Sequence, residues 1–241
     1  MKTVFTFWEG PMPAYIKMCM DTWKVPYVLL NYDNLDRYTD LKVDDQLKRF
    51  SLAQIADCVR VHVLRDQGGY WLDADTIMIT DHLPDVMILG DPVKRTNTIG
   101  YLHTEPRSDM FTRWAAYQDK VIADPDASHH WSIMGNAFTD PYLAEHQEVK
   151  IGQVRDFWPE TYMFGRSEKR YHNYCKLYFS CNYNLSDLMP TSMLMLHNSW
   201  TPDWYRKLDA KEVMMQRHTL SNVLNEVLML RPGGSGEQRE S

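Results

Sequence analysis

Gly68-Gly69-Tyr70-Trp71-Leu72-Asp73-Ala74-Asp75 is the stretch on which the reading turns. Two adjacent glycines allow a tight turn at little steric cost. Tyr70-Trp71-Leu72 then reads as a short buried strand. Asp73 and Asp75 fall where that strand should run out. Side chains at i and i+2 of a strand point the same way, so both carboxylates are expected to face one hard cation. Side by side they repel. A divalent metal removes that repulsion and holds a phosphate on its far side. The stretch therefore reads as a metal–diphosphate site.

Upstream, Ser51 to Asp66 reads as a helix. Ser51 and Gln54 form a capping-box pattern. Leu52, Ile55, Ala56, Val59 and Val63 make one core-facing stripe. Asp57 and Arg60, three apart, lie together beside it. Two accounts stand for this pair. It is a local ion pair on an exposed helix, worth a few tenths of a kcal/mol, or both residues lean over the end of the next strand. Farther upstream, Val4 to Trp8 reads as a buried strand, broken by Glu9-Gly10-Pro11. Pro13 opens a helix reaching about Trp23. Tyr27 to Tyr32 reads as a second strand, and short helices are expected between Asp33 and Phe50. This β-turn-α-β opening predicts an α/β fold with a mainly parallel sheet.

Downstream, Thr76 to Thr80 reads as a strand and Asp109 to Ala123 as a helix. Trp131 to Phe138 reads as strand and loop, and Pro141 to Glu148 as a helix. Trp158 to Tyr183 gives no clear pattern. Leu194-Met195-Leu196 reads as a buried strand followed by His197-Asn198-Ser199-Trp200. Ala210 to Leu230 reads as one long helix with Val213, Met214, Leu220, Val223, Leu224, Val227 and Leu228 as its apolar set. Two uses are open to that helix: packing on the domain's own core or a second subunit, or lying on the inner membrane leaflet. Residues 231–241 read as a disordered polar tail. The expectation is one domain over residues 1–230, a size that supports a sizeable core.

The 241 residues are 44% hydrophobic and 24% charged, ordinary globular values. A net charge of −6 argues against a general nucleic-acid binder. Cys19, Cys58, Cys175 and Cys181 show no zinc or disulfide spacing and read as reduced thiols. No signal peptide or apolar run of about 20 residues is seen. The expectation is a soluble cytoplasmic protein, or one peripheral to the membrane.

Ala56-Asp57-x-x-Arg60 followed by Gly68-Gly69-x-Trp71-Leu72-Asp73-x-Asp75 resembles the signature of retaining D-x-D glycosyltransferases. The type is family 32, which includes capsular polysaccharide and lipopolysaccharide sugar transferases. The catalytic cores of large clostridial glucosylating toxins carry a similar pattern. The resemblance implies a GT-A fold with a C-terminal helix, a nucleotide-sugar donor such as UDP-galactose or UDP-glucose, and Mn or Mg. It implies a glycan or lipid-linked acceptor in bacterial surface polysaccharide synthesis.

Residue by residue, the resemblance makes Trp8 the aromatic that stacks on the donor base. Asp57 and Arg60 contact the donor sugar, and Trp71 lies near the donor ribose or sugar. Asp73 contacts ribose or the metal through water, and Asp75 binds the metal directly. His197-Asn198-Ser199-Trp200 resembles the late metal-ligand and Ser-Trp element. There His197, or failing it Asn198, completes the metal shell, and Ser199 and Trp200 donate to the β-phosphate. The 200–204 segment is expected to act as a lid. Met134-Gly135-Asn136 resembles a loop whose Asn contacts donor or acceptor. His129, His130, Asp140 and Glu160 are weaker acceptor-site candidates. Two other classes compete: a sugar- or nucleotide-binding protein of the same fold without turnover, and a nucleotidyltransferase. The latter would bring a Gly-rich basic opening loop, and Trp8-Glu9-Gly10-Pro11 is not one.

Overall fold

The computed structural model describes residues 3–91, 96–153, 167–188 and 192–229. The chain opens with strand β1 (Val4–Phe7), whose four residues are all buried. Successive side chains leave on opposite faces. Val4 enters one core cluster, while Phe5 and Phe7 enter another. Helix α1 (Ala14–Asp21) follows Pro13, which sits extended at its N-cap. Strand β2 (Tyr27–Leu30) comes next, then a 3-10 turn at Leu35–Arg37 and a short helix α2 (Asp45–Lys48).

Helix α3 (Leu52–Gln67) starts with the expected capping box between Ser51 and Gln54. It ends at Gly68, and strand β3 (Gly69–Leu72) starts at once. Strands β4 (Thr76–Met78), β5 (Ile88–Asp91) and β6 (Thr96–Thr104) lead to helix α4 (Asp109–Ala123). Helix α5 (Asn136–Glu145), strand β7 (Ile151–Gln153) and helix α6 (Ser167–Phe179) follow. Strand β8 (Met193–Met195), a 3-10 turn at Asn198–Trp200, and helices α7 (Asp203–Arg206), α8 (Ala210–Met215) and α9 (Thr219–Met229) complete the described chain.

The main sheet has the order β2-β1-β3-β6-β5-β7. Three of its five pairings are parallel (β1 with β2, β1 with β3, β5 with β7), and β6 runs antiparallel to both neighbours. The α/β architecture expected from sequence is present, with a mainly parallel sheet flanked by helices. One face packs on α3 and α4 through Val59, Val63, Trp71, Phe111 and Trp114. The other packs on α1, α6, α8 and α9 through Tyr15, Ile16, Tyr174, Tyr178 and Val223. Strands β4 and β8 form a separate antiparallel pair, Thr76 opposite Met195 and Met78 opposite Met193.

Three expectations need correction. The Ala210–Leu230 segment is two helices, because Gln216 is extended (ψ 149°). Thr219 is tied sideways there: its N–H donates to the Cys181 carbonyl (3.0 Å), and its hydroxyl accepts from Tyr183 N–H (3.1 Å). Val213, Leu220, Val223, Leu224 and Val227 bury themselves in the domain's own core, so the apolar face is not offered to a membrane, while Met214 is exposed. Residues 131–135 form turns rather than a strand, and α5 begins five residues earlier than read, with Pro141 inside it. Cys19, Cys58, Cys175 and Cys181 are free, as read. Among the described residues, no helix is long and apolar enough to cross a membrane. Glu160, with residues 158–166 of the 158–183 segment, and the 231–241 tail lie outside the described residues.

Gly68 and Gly69 carry positive φ, +64° and +91°. A Cβ on Gly69 would sit 2.5 Å from the Thr3 carbonyl oxygen, the acceptor that joins β1 to β3 through Tyr70 N–H. Gly10 also has positive φ (+80°), but a Cβ there meets nothing. Gly69→Ala should cost about 3 kcal/mol or more and Gly10→Ala about 1 kcal/mol in urea unfolding. Equal costs would contradict this account of the turn.

Candidate functional site

The sheet places the site. β1 is followed by β2 on one side, while β3 lies on its other side, so the order switches between β1 and β3. In open α/β sheets, ligands bind outside the carboxyl ends of strands at such a point. Trp8 follows the carboxyl end of β1, and Asp73 follows that of β3. Trp8 is half-buried; its N–H donates to the Leu30 carbonyl and its indole N–H to the Pro11 carbonyl (3.4 Å). Glu9 accepts from Tyr32 N–H, which ties this loop to the end of β2.

Asp73 and Asp75 do not continue the strand. β3 stops at Leu72, and Asp73-Ala74-Asp75 turn over toward β4. Asp73 N–H still reaches the Gly100 carbonyl (2.9 Å), but Asp73 O accepts from Thr76 N–H (3.0 Å) and closes the turn. Gly100 is needed for this closeness, since a Cβ there would lie 2.9 Å from Asp73 Oδ2. The strand argument for two parallel carboxylates is therefore corrected: a turn brings them together.

Arg60 is the hub. Its guanidinium lies 3.0 Å from Asp57 Oδ1 and 3.2 Å from Asp73 Oδ1. It also donates to the Ile99 and Ala56 carbonyls and sits 5.3 Å from the Trp71 ring centroid. The Arg60 side chain is only 6% exposed and that of Asp57 15%. Of the two accounts of this pair, the exposed ion pair fails and the one that leans over the strand end holds. Trp71 is buried, and its indole N–H donates to Asp73 Oδ1 (2.8 Å). It supports Asp73 from below rather than presenting a face to a donor, because the sheet's lower core encloses its ring.

Charge is out of balance here. Burial raises the Asp57 carboxyl to about 6; Arg60 opposes the rise and Asp73 adds to it. Burial, then the Asp73 charge, raises Asp75 to about 7, against the Asn198 N–H and Arg60. Arg60 pairs with Asp57 and Asp73, and among the described residues no ion pair reaches Asp75. Two oxygen-rich side chains short of positive charge fit a hard divalent cation. Burial lowers His197 to about 4, with Asp73 opposing the fall, so its imidazole is neutral near pH 7. Among the described residues, no three His, Cys, Asp or Glu side chains are gathered as a ready metal shell. Asp73 and Asp75 can supply two ligands, and phosphate and water suit the remainder.

The back wall of the site is the 196–201 segment. Leu196 N–H donates to Asp75 O (3.2 Å), and Asn198 N–H donates to Asp75 Oδ2 (2.6 Å). The His197 ring packs on Trp200 at 4.2 Å between centroids, and Ser199 is exposed. The Asn198 side-chain oxygen accepts from the Tyr15 hydroxyl. The 200–204 segment is clamped rather than a free lid: Thr201 is buried, and Arg206 donates to the Asn198 and Thr201 carbonyls. Neither Tyr15 nor Arg206 was visible as a site residue in the sequence, since no motif spacing carries either.

Asn136 is the first residue of α5, not a loop residue. Its amide donates to Asn97 (3.1 Å) and Asp140 (3.4 Å), which pins α5 to β6. Its neighbour Gly135 lies beside Asp57, where a Cβ would be 3.6 Å from Asp57 Oδ2. The preceding loop holds His129 against Phe50 (4.9 Å) and His130 bonded to Ser132 (2.9 Å), and Gln54 ties the loop to α3.

A family model described as capsular polysaccharide synthesis protein matches residues 1–150. That span holds β1 through α5, including Trp8, Asp57, Arg60, Asp73 and Asp75. Among solved structures, one titled PaToxG glycosyltransferase aligns with 61% of this chain and 69% of its own, at 14% identity and a TM-score of 0.39. A likeness of that size decides nothing about activity. No curated protein matches.

Arg60→Ala should cost about 3 kcal/mol in urea unfolding, since it leaves the largely buried Asp57 without its partner beside the half-buried Asp73. Arg60→Lys should recover little, because one ammonium cannot reproduce the fork. A loss below about 1 kcal/mol would contradict the hub. Raised carboxyl pKa values also fix a pH dependence. Between the ordinary carboxylate range and pH 7 the folded state binds more protons than the unfolded state, so stability falls as pH rises. His62 and His197, each lowered to about 4, act with the opposite sign below about pH 6.5, so the variant isolates the carboxylate: in the metal-free protein Asp75→Asn should stabilise more, relative to the parent, at about pH 8 than at about pH 5. An equal effect of Asp75→Asn at the two pH values would contradict the assignment.

Proposed function

We propose that this chain, which belongs to the capsular polysaccharide synthesis protein family, is a metal-dependent retaining glycosyltransferase. On this reading it moves a hexose from a UDP-sugar to a glycan or lipid-linked acceptor. The observation that carries the reading is the Arg60-bridged Asp57 and Asp73 beside the buried, uncompensated Asp75, set at the sheet's switch point.

Asp73 and Asp75 would hold Mn or Mg. Such an ion, when bound, offsets charge on the leaving diphosphate. Everything else is asked of the chain. Trp8 stands at the end of β1, where its ring can stack on a base. Arg60 is engaged with two carboxylates and two carbonyls, so its task is to hold the acidic groups in place rather than to grip phosphate. The exposed Ser199 hydroxyl and the Trp200 indole N–H can donate to the β-phosphate. Asp57 and Asp73 are both bound to Arg60 through Oδ1, which leaves them poor nucleophiles. That favours a front-face route. The anomeric carbon–oxygen bond breaks, the acceptor oxygen bonds to the same face, and a departing phosphate oxygen takes the acceptor's proton.

The test is product analysis with UDP-glucose and UDP-galactose, an acceptor glycan panel and Mn2+. The parent should release UDP and form an α-linked product. Asp75→Ala should lower the rate about a thousandfold or more, and a chelator should do the same. A β-linked product would contradict retention. UDP binding without release under every condition would favour a binding protein of the same fold, and pyrophosphate release a nucleotidyltransferase.

A further inference from the structure

We propose that Tyr15 and Arg206 are positioning residues that lock the Asn198 turn, and through its N–H fix the Asp75 carboxylate for cation and diphosphate. The inference rests on the glycosyltransferase reading for its functional meaning. Its structural content stands apart from that reading.

Asp75 is buried, and the Asn198 N–H takes its Oδ2 at 2.6 Å. That donor is useful only if the 197–198 peptide is held still. The turn that carries it is three residues of 3-10 helix, Asn198–Trp200, closed by Trp200 N–H to His197 O and Thr201 N–H to Asn198 O. So short a 3-10 piece has little stability of its own. It is held from outside at both ends. Arg206 donates through one guanidinium nitrogen to the Asn198 carbonyl and through Nε to the Thr201 carbonyl (2.9 Å). The Tyr15 hydroxyl donates to Asn198 Oδ1 at 2.5 Å.

Tyr15 lies in the first turn of α1, seven positions after Trp8. One hydroxyl therefore links the element that follows the base-side loop to the wall behind Asp75. A buried tyrosine is ordinarily core packing, and Tyr15 is fully buried with its ring 5.6 Å from that of Tyr205. Tyr205 supplies the internal comparison. It too is fully buried, and its hydroxyl bonds to Ser221 (2.9 Å), a contact that leads away from Asp75, whereas the Tyr15 hydroxyl meets Asn198 and Thr201 at the two ends of the turn. A purely structural role predicts equal consequences for losing either hydroxyl. The positioning role predicts unequal ones.

The experiment compares Tyr15→Phe, Tyr205→Phe and Arg206→Ala with the parent by two readouts. One is Mn2+ binding, followed by the electron paramagnetic resonance of the free ion. The other is amide hydrogen exchange in the peptide spanning 196–206 without metal. Tyr15→Phe should weaken Mn2+ binding about tenfold and speed exchange at the Asn198 turn by a similar factor, the equivalent of one net hydrogen bond. Tyr205→Phe should leave both unchanged. Arg206→Ala should act like Tyr15→Phe and be partly restored by added guanidinium. Equal effects of the two tyrosine substitutions, or no effect of Tyr15→Phe, would overturn the proposal. If the parent itself bound no Mn2+, the metal-dependent reading would fail, and the exchange comparison alone would decide whether Tyr15 holds the turn.

Discussion

One buried guanidinium between two carboxylates, Asp57 and the half-buried Asp73, is the constraint on which the site depends. Arg60 reaches Asp57 on its own helix and Asp73 at the end of β3, and so ties α3 to the strand it precedes. Breaking such a buried group costs several kcal/mol, whereas its net worth over an apolar core is small. The arrangement is therefore poor evidence of selection for stability and better evidence of selection for position. It holds Asp73 at a fixed height above Trp71. It leaves Asp75 as a buried carboxylate whose charge neither Arg60 nor the Asn198 N–H fully offsets. That imbalance at the switch point is what supports the proposed cation.

The second half of the site comes from far along the chain. β8 pairs with β4, and this pairing carries the 196–201 segment to Asp75. The matched family span ends at residue 150, so the acidic groups and the wall behind them belong to different portions of the sequence. The His197 and Trp200 rings of that wall pack on Tyr174 of α6, at 5.8 and 5.6 Å between centroids. Packing of this kind fixes a wall more firmly than loops usually are.

What could be read from sequence was local. The capping box at Ser51 and Gln54 set the start of α3, and the 3–4 spacing set α4 at Asp109–Ala123. Gly68-Gly69 set the turn into β3 because positive φ and a 2.5 Å approach to Thr3 admit no side chain. What failed depended on partners distant in the chain. Asp73 and Asp75 meet in a turn because Asp73 closes on Thr76, which alternation cannot show. α5 runs through Pro141 because Asn136 and Thr139 both bond to Asn97 on β6. The C-terminal helix breaks where Cys181 and Tyr183 capture Thr219. Tyr15 meets Asn198 across 183 positions, a separation no motif spans.

The most direct measurement is calorimetric titration of UDP into the protein with Mn2+ present and again after chelation, on the parent and on Asp75→Asn. The account predicts binding to the parent with Mn2+ and at least a tenfold loss both on chelation and in the variant, roughly the weight of one charge-assisted contact. Equal affinity with and without the cation, or in the presence and absence of the Asp75 charge, would contradict the claim that this cleft is a cation–diphosphate site.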